Sequence, residues 1–218
     1  MSYGVLLATD SGEVWVSPES IPLALLAKKS ATVGSSSATV TQVFDPAQPI
    51  IPFVYSTSSG TIKMDISNGV CTISLSNALS GSRIDVYFFS IFAQPLPDYG
   101  LAIWDKAGTC ILTNETKTLS DLARVGGSSA SSDNGIGTNA WFSGKWACIP
   151  QYMGIAVGII HAGGTRPWQS NYRAVAYADG SGTRILAYGD GGSPTGVENL
   201  GFTDGHGNVI ITRVDMYD

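Results

Sequence analysis

Asn68-Gly69 stands between two runs whose side chains alternate in polarity. Thr61-Ile62-Lys63-Met64-Asp65-Ile66-Ser67 puts Ile62, Met64 and Ile66 on one face and Lys63 and Asp65 on the other, and Val70-Cys71-Thr72-Ile73-Ser74-Leu75 follows the dipeptide. Both central residues of a tight two-residue hairpin loop need positive φ, which Asn and Gly tolerate best. Residues 61–75 are therefore predicted to form a β-hairpin. The same grammar extends along the chain. No stretch keeps apolar residues at helical spacing across three turns, because Gly, Pro, Ser and Thr interrupt nearly every window. Residues 83–92 (Arg-Ile-Asp-Val-Tyr-Phe-Phe-Ser-Ile-Phe) become apolar on both faces, as a central strand between two packed layers does. Lighter strands are predicted at 154–160, 172–177 and 184–188. Residues 21–29 read as a strand despite their Leu and Ala, and 119–125 as a single turn. Residues 32–38 and 126–139 read as loops, the second longer than ordinary connections. The expectation is an all-β chain, a β-sandwich of jelly-roll or immunoglobulin-like type.

The chain also repeats itself. Tyr3-Gly4-Val5-Leu6-Leu7-Ala8-Thr9-Asp10-Ser11-Gly12-Glu13-Val14-Trp15-Val16-Ser17-Pro18-Glu19-Ser20 aligns without gaps onto the run from Tyr99-Gly100 to Thr116, with Tyr-Gly, the turn glycine and the late Glu in common. A weaker third copy, residues 200–212, matches Asp105, Gly108 and Thr113 with Asp204, Gly207 and Thr212. An apolar strand, an Asp-x-x-Gly turn and a second apolar strand make a hairpin in which Gly takes positive φ and Asp accepts from turn amides. Asp10, Gly12, Asp105, Gly108, Asp204 and Gly207 are therefore structural turn candidates. None of the copies has the alternating carboxylates of a calcium loop, so no metal is expected. The repeat suggests two related β halves, 1–97 and 98–218, each opened by a Tyr-Gly hairpin and able to pack as one domain.

Hydrophobic residues make up 44% of the chain and charged residues 13%, which gives ample core but little charge for the surface. Part of that surface is expected to be covered by partners. A net charge of -5 without a Lys/Arg cluster argues against nucleic acid. The longest apolar runs are too short to cross a membrane as a helix, so no membrane insertion is expected, and the N-terminal residues lack the basic segment of a signal peptide. Cys71, Cys110 and Cys148 are odd in number and far apart, the pattern of buried free thiols.

The inventory for chemistry is thin. His161 and His206 are the only histidines. No Gly-x-Ser-x-Gly elbow or phosphate loop occurs in its required setting, and no pair of carboxylates stands out among the acidic residues. No catalytic residue and no cofactor are expected. Aromatic residues crowd one region: Trp141, Phe142, Trp146, Tyr152, Trp168 and Tyr172, beside Arg166 and Arg173. Trp146 and Tyr152 flank strands and are expected in the core. Trp141, Phe142, Arg166, Trp168 and Tyr172 are candidate surface contacts, since Trp and Tyr anchor interfaces and stack on sugar faces.

Tyr3-Gly4 to Ser20, its repeat at Tyr99-Gly100 to Thr116, and Phe92-Ala93-Gln94-Pro95 before the second copy resemble a family of small proteins of long-tailed bacteriophages, found with tail-tip and tail-fibre components. The resemblance covers chiefly the first 120 residues or so. It implies a virion protein of the tail, made in the bacterial cytoplasm and acting by assembly with other tail-tip or fibre proteins. A homo-oligomer, foremost a trimer, is expected, with a host-surface glycan or receptor as a further partner. The alternative reading is a lectin-like carbohydrate-binding module using Trp141 and Trp168.

Overall fold

The computed structural model describes residues 7–8, 10, 14–16, 21–126, 135–161, 164–191, 196–204 and 208–218. Apart from two short 3-10 turns, Gly135–Gly137 and Asp215–Tyr217, the regular elements among them are all strands. In the first half these are β1 (Leu7–Ala8), β2 (Val14–Val16), β3 (Ala24–Thr32), β4 (Ser37–Val43), β5 (Ile50–Ser56), β6 (Thr61–Ser67), β7 (Val70–Ser76) and β8 (Arg83–Ser90). The second half adds β9 (Ala102–Trp104), β10 (Cys110–Thr113), β11 (Leu122–Val125), β12 (Asn139–Ser143), β13 (Trp146–Cys148), β14 (Tyr152–His161), β15 (Thr165–Asp179), β16 (Gly182–Gly189), β17 (Val197–Asp204) and β18 (Val209–Arg213).

The Asn-Gly hairpin forms as its sequence dictates. Ser67 pairs with Val70, and the turn residues Asn68 and Gly69 have φ of 51° and 74°. A Cβ on Gly69 would sit 3.0 Å from the Phe44 carbonyl oxygen, and Phe44 is held beside the turn by its N donating to Gly69 O at 2.8 Å. Gly69→Ala is expected to cost about 1 kcal/mol, against almost nothing for Asn68→Gly. Urea unfolding of the two variants checks this, and equal costs would show that φ is not what the position demands.

β4, β7 and β6 make a three-stranded sheet that packs over the face of β8 carrying Ile84, Val86 and Phe88. That interlayer core also holds Val40, Val54, Ile62, Ile73, Leu75 and Val175. The opposite face of β8 presents Tyr87 and Phe89 to Phe53, Ala147, Val214 and Tyr217. This is why 83–92 reads as apolar on both sides: it is a central strand, paired with β3 on one edge and β5 on the other. β5 in turn meets β13 and β15, so an eleven-stranded, curled sheet continues through β14 to β17 and through β18 to β11. The fold is all-β with a sandwich-like layout. A division near residue 97 does not separate two sheets, because β3, β5 and β8 belong to the same sheet as the strands of the second half.

Two sequence expectations are overturned here, and the bounds of a third are narrowed. Residues 119–125 are not merely a turn: β11 is a strand pairing Leu122–Val125 with the stretch from Thr212 back to Val209. Four residues on a sheet edge are too short to show a period. The loop expected at 32–38 is present but shorter, residues 33–36, since β3 runs to Thr32 and β4 starts at Ser37, with Ser and Thr on the exposed face of β4 and Ala38 and Val40 inward. The third repeat is not a hairpin. β17 pairs with β14, while β18 lies between β11 and β13, so the two strands flanking Asp204 find other partners. Of the loop at 126–139, residues 127–134 lie outside the described residues, and β12 begins within it at Asn139.

Candidate functional site

The strands of the first two repeats pair in the same register. Leu7 pairs with Val16 and Ala8 with Val14, and their aligned counterparts pair identically: Ile103 with Leu112 and Trp104 with Cys110. The register slips at the same step in each, leaving one extra residue on the second strand, a β-bulge. In the second copy the Asp105 carboxylate accepts from the amides of Ala107 (2.9 Å) and Thr109 (2.8 Å), and Gly108 has φ of 82°. Gly100 of the Tyr-Gly pair has φ of 128°, and any Cβ there would overlap Asn114, whose side chain accepts from Leu101 N at 3.0 Å. Asp10 lies in the turn of the first copy and is exposed; Gly12 and Gly207 lie outside the described residues, as does the side chain of Asp204.

The second hairpin turns apolar groups outward. Leu96, Leu101 and Trp104 are more than half exposed and Tyr99 is 90% exposed, and these residues line one shallow hollow. β9 pairs with β10, and no other described strand lies along its second edge.

The candidate aromatic residues do not gather into one surface. Trp168 is 9% exposed and its indole donates to the Gly191 carbonyl at 3.0 Å, so it is a buried anchor and not a surface contact. Phe142 and Tyr172 are half-buried and pack, with Trp146, against the second-half core of Cys148, Met153, Ala174 and Ile185. Trp141 is exposed, but its ring lies over Gly182 and its indole donates to Asp179 O at 3.1 Å. Arg166 is exposed on β15, opposite Ile160 of β14.

Tyr152, expected in the core, is instead 44% exposed. The cause is a bulge. From His161 back to Gly154, β14 pairs residue by residue with β15, then the register slips and Tyr152, not Met153, stands opposite Arg173. Gly154 takes φ of 148° at the slip, and Met153 is buried in the core. Tyr152 thereby joins Arg173 on the outer face, where Asn171 also lies two residues along β15. These three, with Asp190 beyond β16, form one wall of a cleft of about 490 Å³. Lys63, Met64, Asp65 and Thr72 of the β6–β7 hairpin form the other.

A separate polar cluster lies under β8. Asp85, 1% exposed, accepts from Lys145 Nζ at 3.0 Å, Arg83 Nη2 at 2.9 Å and Ser30 Oγ at 2.6 Å. Lys145 also donates to Asp218 (2.8 Å) and to the Tyr87 hydroxyl (2.9 Å), and Tyr87 donates to Asp218. Burial alone would raise the Asp85 pKa, but the hydrogen bonds from Ser30 and Lys145 and the nearby cations hold it below the usual carboxylate value. Burial and the adjacent Asp218 push the Tyr87 phenol up. Every charge here is matched within the cluster, which makes it a clasp between β8 and the 3-10 turn at the end of the chain. Burial likewise pushes the thiols of Cys71 and Cys148 up to about 11 and about 12, so they remain protonated and inert.

Among the described residues no group of three or more His, Cys, Asp or Glu side chains could hold a metal ion. No family model matches the chain, and neither a curated protein nor a solved structure does.

Proposed function

We propose that the protein is a structural component of a bacteriophage tail tip or tail fibre, acting through protein–protein assembly and not through catalysis. The observation that carries this reading is the duplicated Tyr-Gly hairpin, whose second copy, with Leu96 just before it, leaves Tyr99, Leu101 and Trp104 facing out beside a strand edge that no described strand pairs. A solitary exposed Leu needs no explanation, but a contiguous aromatic and aliphatic group on one hairpin and its lead-in is the kind of surface that partners cover. The low charge of the chain fits the same role, as does its resemblance to tail-tip proteins. Gln94, in the connection that follows β8, holds the second copy through two bonds: its amide donates to Cys110 O at 2.8 Å and its side-chain oxygen accepts from the Thr116 hydroxyl at 3.1 Å.

Light scattering of the purified chain is expected to find a homo-oligomer, with a trimer as the leading candidate, and mass spectrometry of purified phage particles to find the chain among the virion proteins. Replacing Tyr99, Leu101 and Trp104 together by Ser is expected to shift the oligomer toward monomer while the melting temperature of the subunit stays nearly unchanged, because these side chains are outside the core. A monodisperse monomer that is also missing from particles would rule the reading out.

A further inference from the structure

We infer that the cleft between the β6–β7 hairpin and the outer face of β14–β15 is a binding site for a neutral saccharide. The carbohydrate alternative thereby moves away from Trp141 and Trp168, one pinned over Gly182 and the other buried, to Tyr152, Asn171, Arg173 and Asp190.

Four observations converge. The volume, about 490 Å³, suits one or two sugar rings. The bulge at Met153 places a tyrosine ring on the cleft wall where unbroken pairing would have placed methionine, and bulges are frequently the device that re-aims a side chain at a binding site. An aromatic ring offers the apolar C–H face of a pyranose a flat partner. The polar groups beside it are held in place before any ligand arrives. Asp190 accepts from Asn171 N at 2.8 Å and from Asn171 Nδ2 at 3.4 Å, and its own amide donates to Asn171 O at 3.0 Å. Arg173 donates to the Pro150 carbonyl at 3.3 Å, which fixes one guanidinium nitrogen and leaves the others for a ligand. Groups already ordered cost less entropy when they bind.

The charges select the ligand class. Lys63 and Arg173 are matched by Asp65 and Asp190, so the cleft carries no net charge and gives an anionic polymer no advantage. What it offers is donors and acceptors side by side on both walls. Vicinal hydroxyls, each able to donate to a carboxylate while accepting from a guanidinium or ammonium, match that arrangement.

The site is independent of the assembly reading, since it lies on other strands than the exposed hairpin. Saturation-transfer NMR followed by calorimetric titration would use glucose, galactose, mannose, rhamnose, N-acetylglucosamine and their disaccharides, with glucuronic acid as the anionic comparator. At least one neutral sugar is expected to bind. Tyr152→Ala and Asp190→Ala should each weaken it by about ten-fold or more, Tyr152→Phe should retain it, and Trp141→Ala should leave it unchanged. Melting curves establish that each variant is folded. The inference is overturned if no neutral sugar binds, if only glucuronic acid does, or if binding survives both alanine substitutions. Oligomer formation and presence in particles are scored separately, so loss of one reading leaves the other standing.

Discussion

Lys145→Met is expected to destabilise the protein by about 3 kcal/mol, because it leaves the Asp85 carboxylate buried with one of its cations gone. For a chain of this size that corresponds to a fall of roughly 6–12 °C in melting temperature. Arg83 and Ser30 still reach Asp85, which keeps the loss below that of a wholly abandoned charge. The double variant Asp85→Asn/Lys145→Met should recover part of the loss, since neither residue then carries an unmatched charge. The same cluster sets an acid limit. Asp85 and Asp218 both titrate below their ordinary values, so their contribution is fully present above the unfolded carboxylate pKa of about 4 and is lost as pH falls through the folded values. Thermal melts at pH 7 and pH 3 should show a smaller acid effect in the double variant than in the wild type. An unchanged melting temperature in Lys145→Met would mean the clasp contributes nothing.

Phe89→Ala should cost more, about 4 kcal/mol, as the removal of a fully buried aromatic ring does. Phe89 meets Phe53 edge-on at 5.7 Å between ring centres and Tyr217 at 5.0 Å. Tyr217 in turn donates to the Thr118 carbonyl at 2.8 Å and accepts from Ser120 N at 3.0 Å. The void therefore opens beside the ring that ties residues 118–120 to the end of the chain. Urea unfolding measures the cost, and hydrogen exchange is expected to show the Ser120 and Tyr217 amides losing protection first. Phe89→Leu, which fills most of the space, should cost about 1.5 kcal/mol or less. If Phe89→Ala cost no more than Phe89→Leu, this part of the core would not be closely packed.

What could be read from the sequence was whatever is specified locally. Asn68-Gly69 fixes its turn by the φ values it tolerates, and the run from Ile84 to Phe89 shows a central strand by being apolar on both sides. The repeat at Tyr3 and Tyr99 went further than its letters, since the two hairpins share even their bulge. Long-range pairing left no such trace. Asp204 and Gly207 copy the turn of Asp105 and Gly108, yet β18 lies between β11 and β13, and a turn motif cannot reveal that its strands are claimed elsewhere. Tyr152 was expected inside because it flanks a strand; the register slip at Met153 that turns it out has no signature except Gly154. The cleft could not be found in the sequence at all, because Lys63 and Asp65 come from one layer and Asn171, Arg173 and Asp190 from the other. Asp85 within an apolar strand was a visible signal of a buried polar site, but its partner Lys145 was not.

The position of β5 has a consequence for how the molecule comes into being. Ser56, at the end of this early strand, hydrogen-bonds to the Ala176 carbonyl of β15, and Val54 pairs with Cys148 of β13. During synthesis β3, β8 and β5 can join as soon as they emerge, but one side of β5 must wait for β13 and β15. Until then the growing chain displays an uncovered apolar strand edge beside Phe53, a state in which two nascent copies can pair with each other instead of with themselves. Pairings this distant in sequence close slowly. Yield of the folded protein is therefore expected to respond to temperature and chaperone supply during expression more than its final stability would suggest.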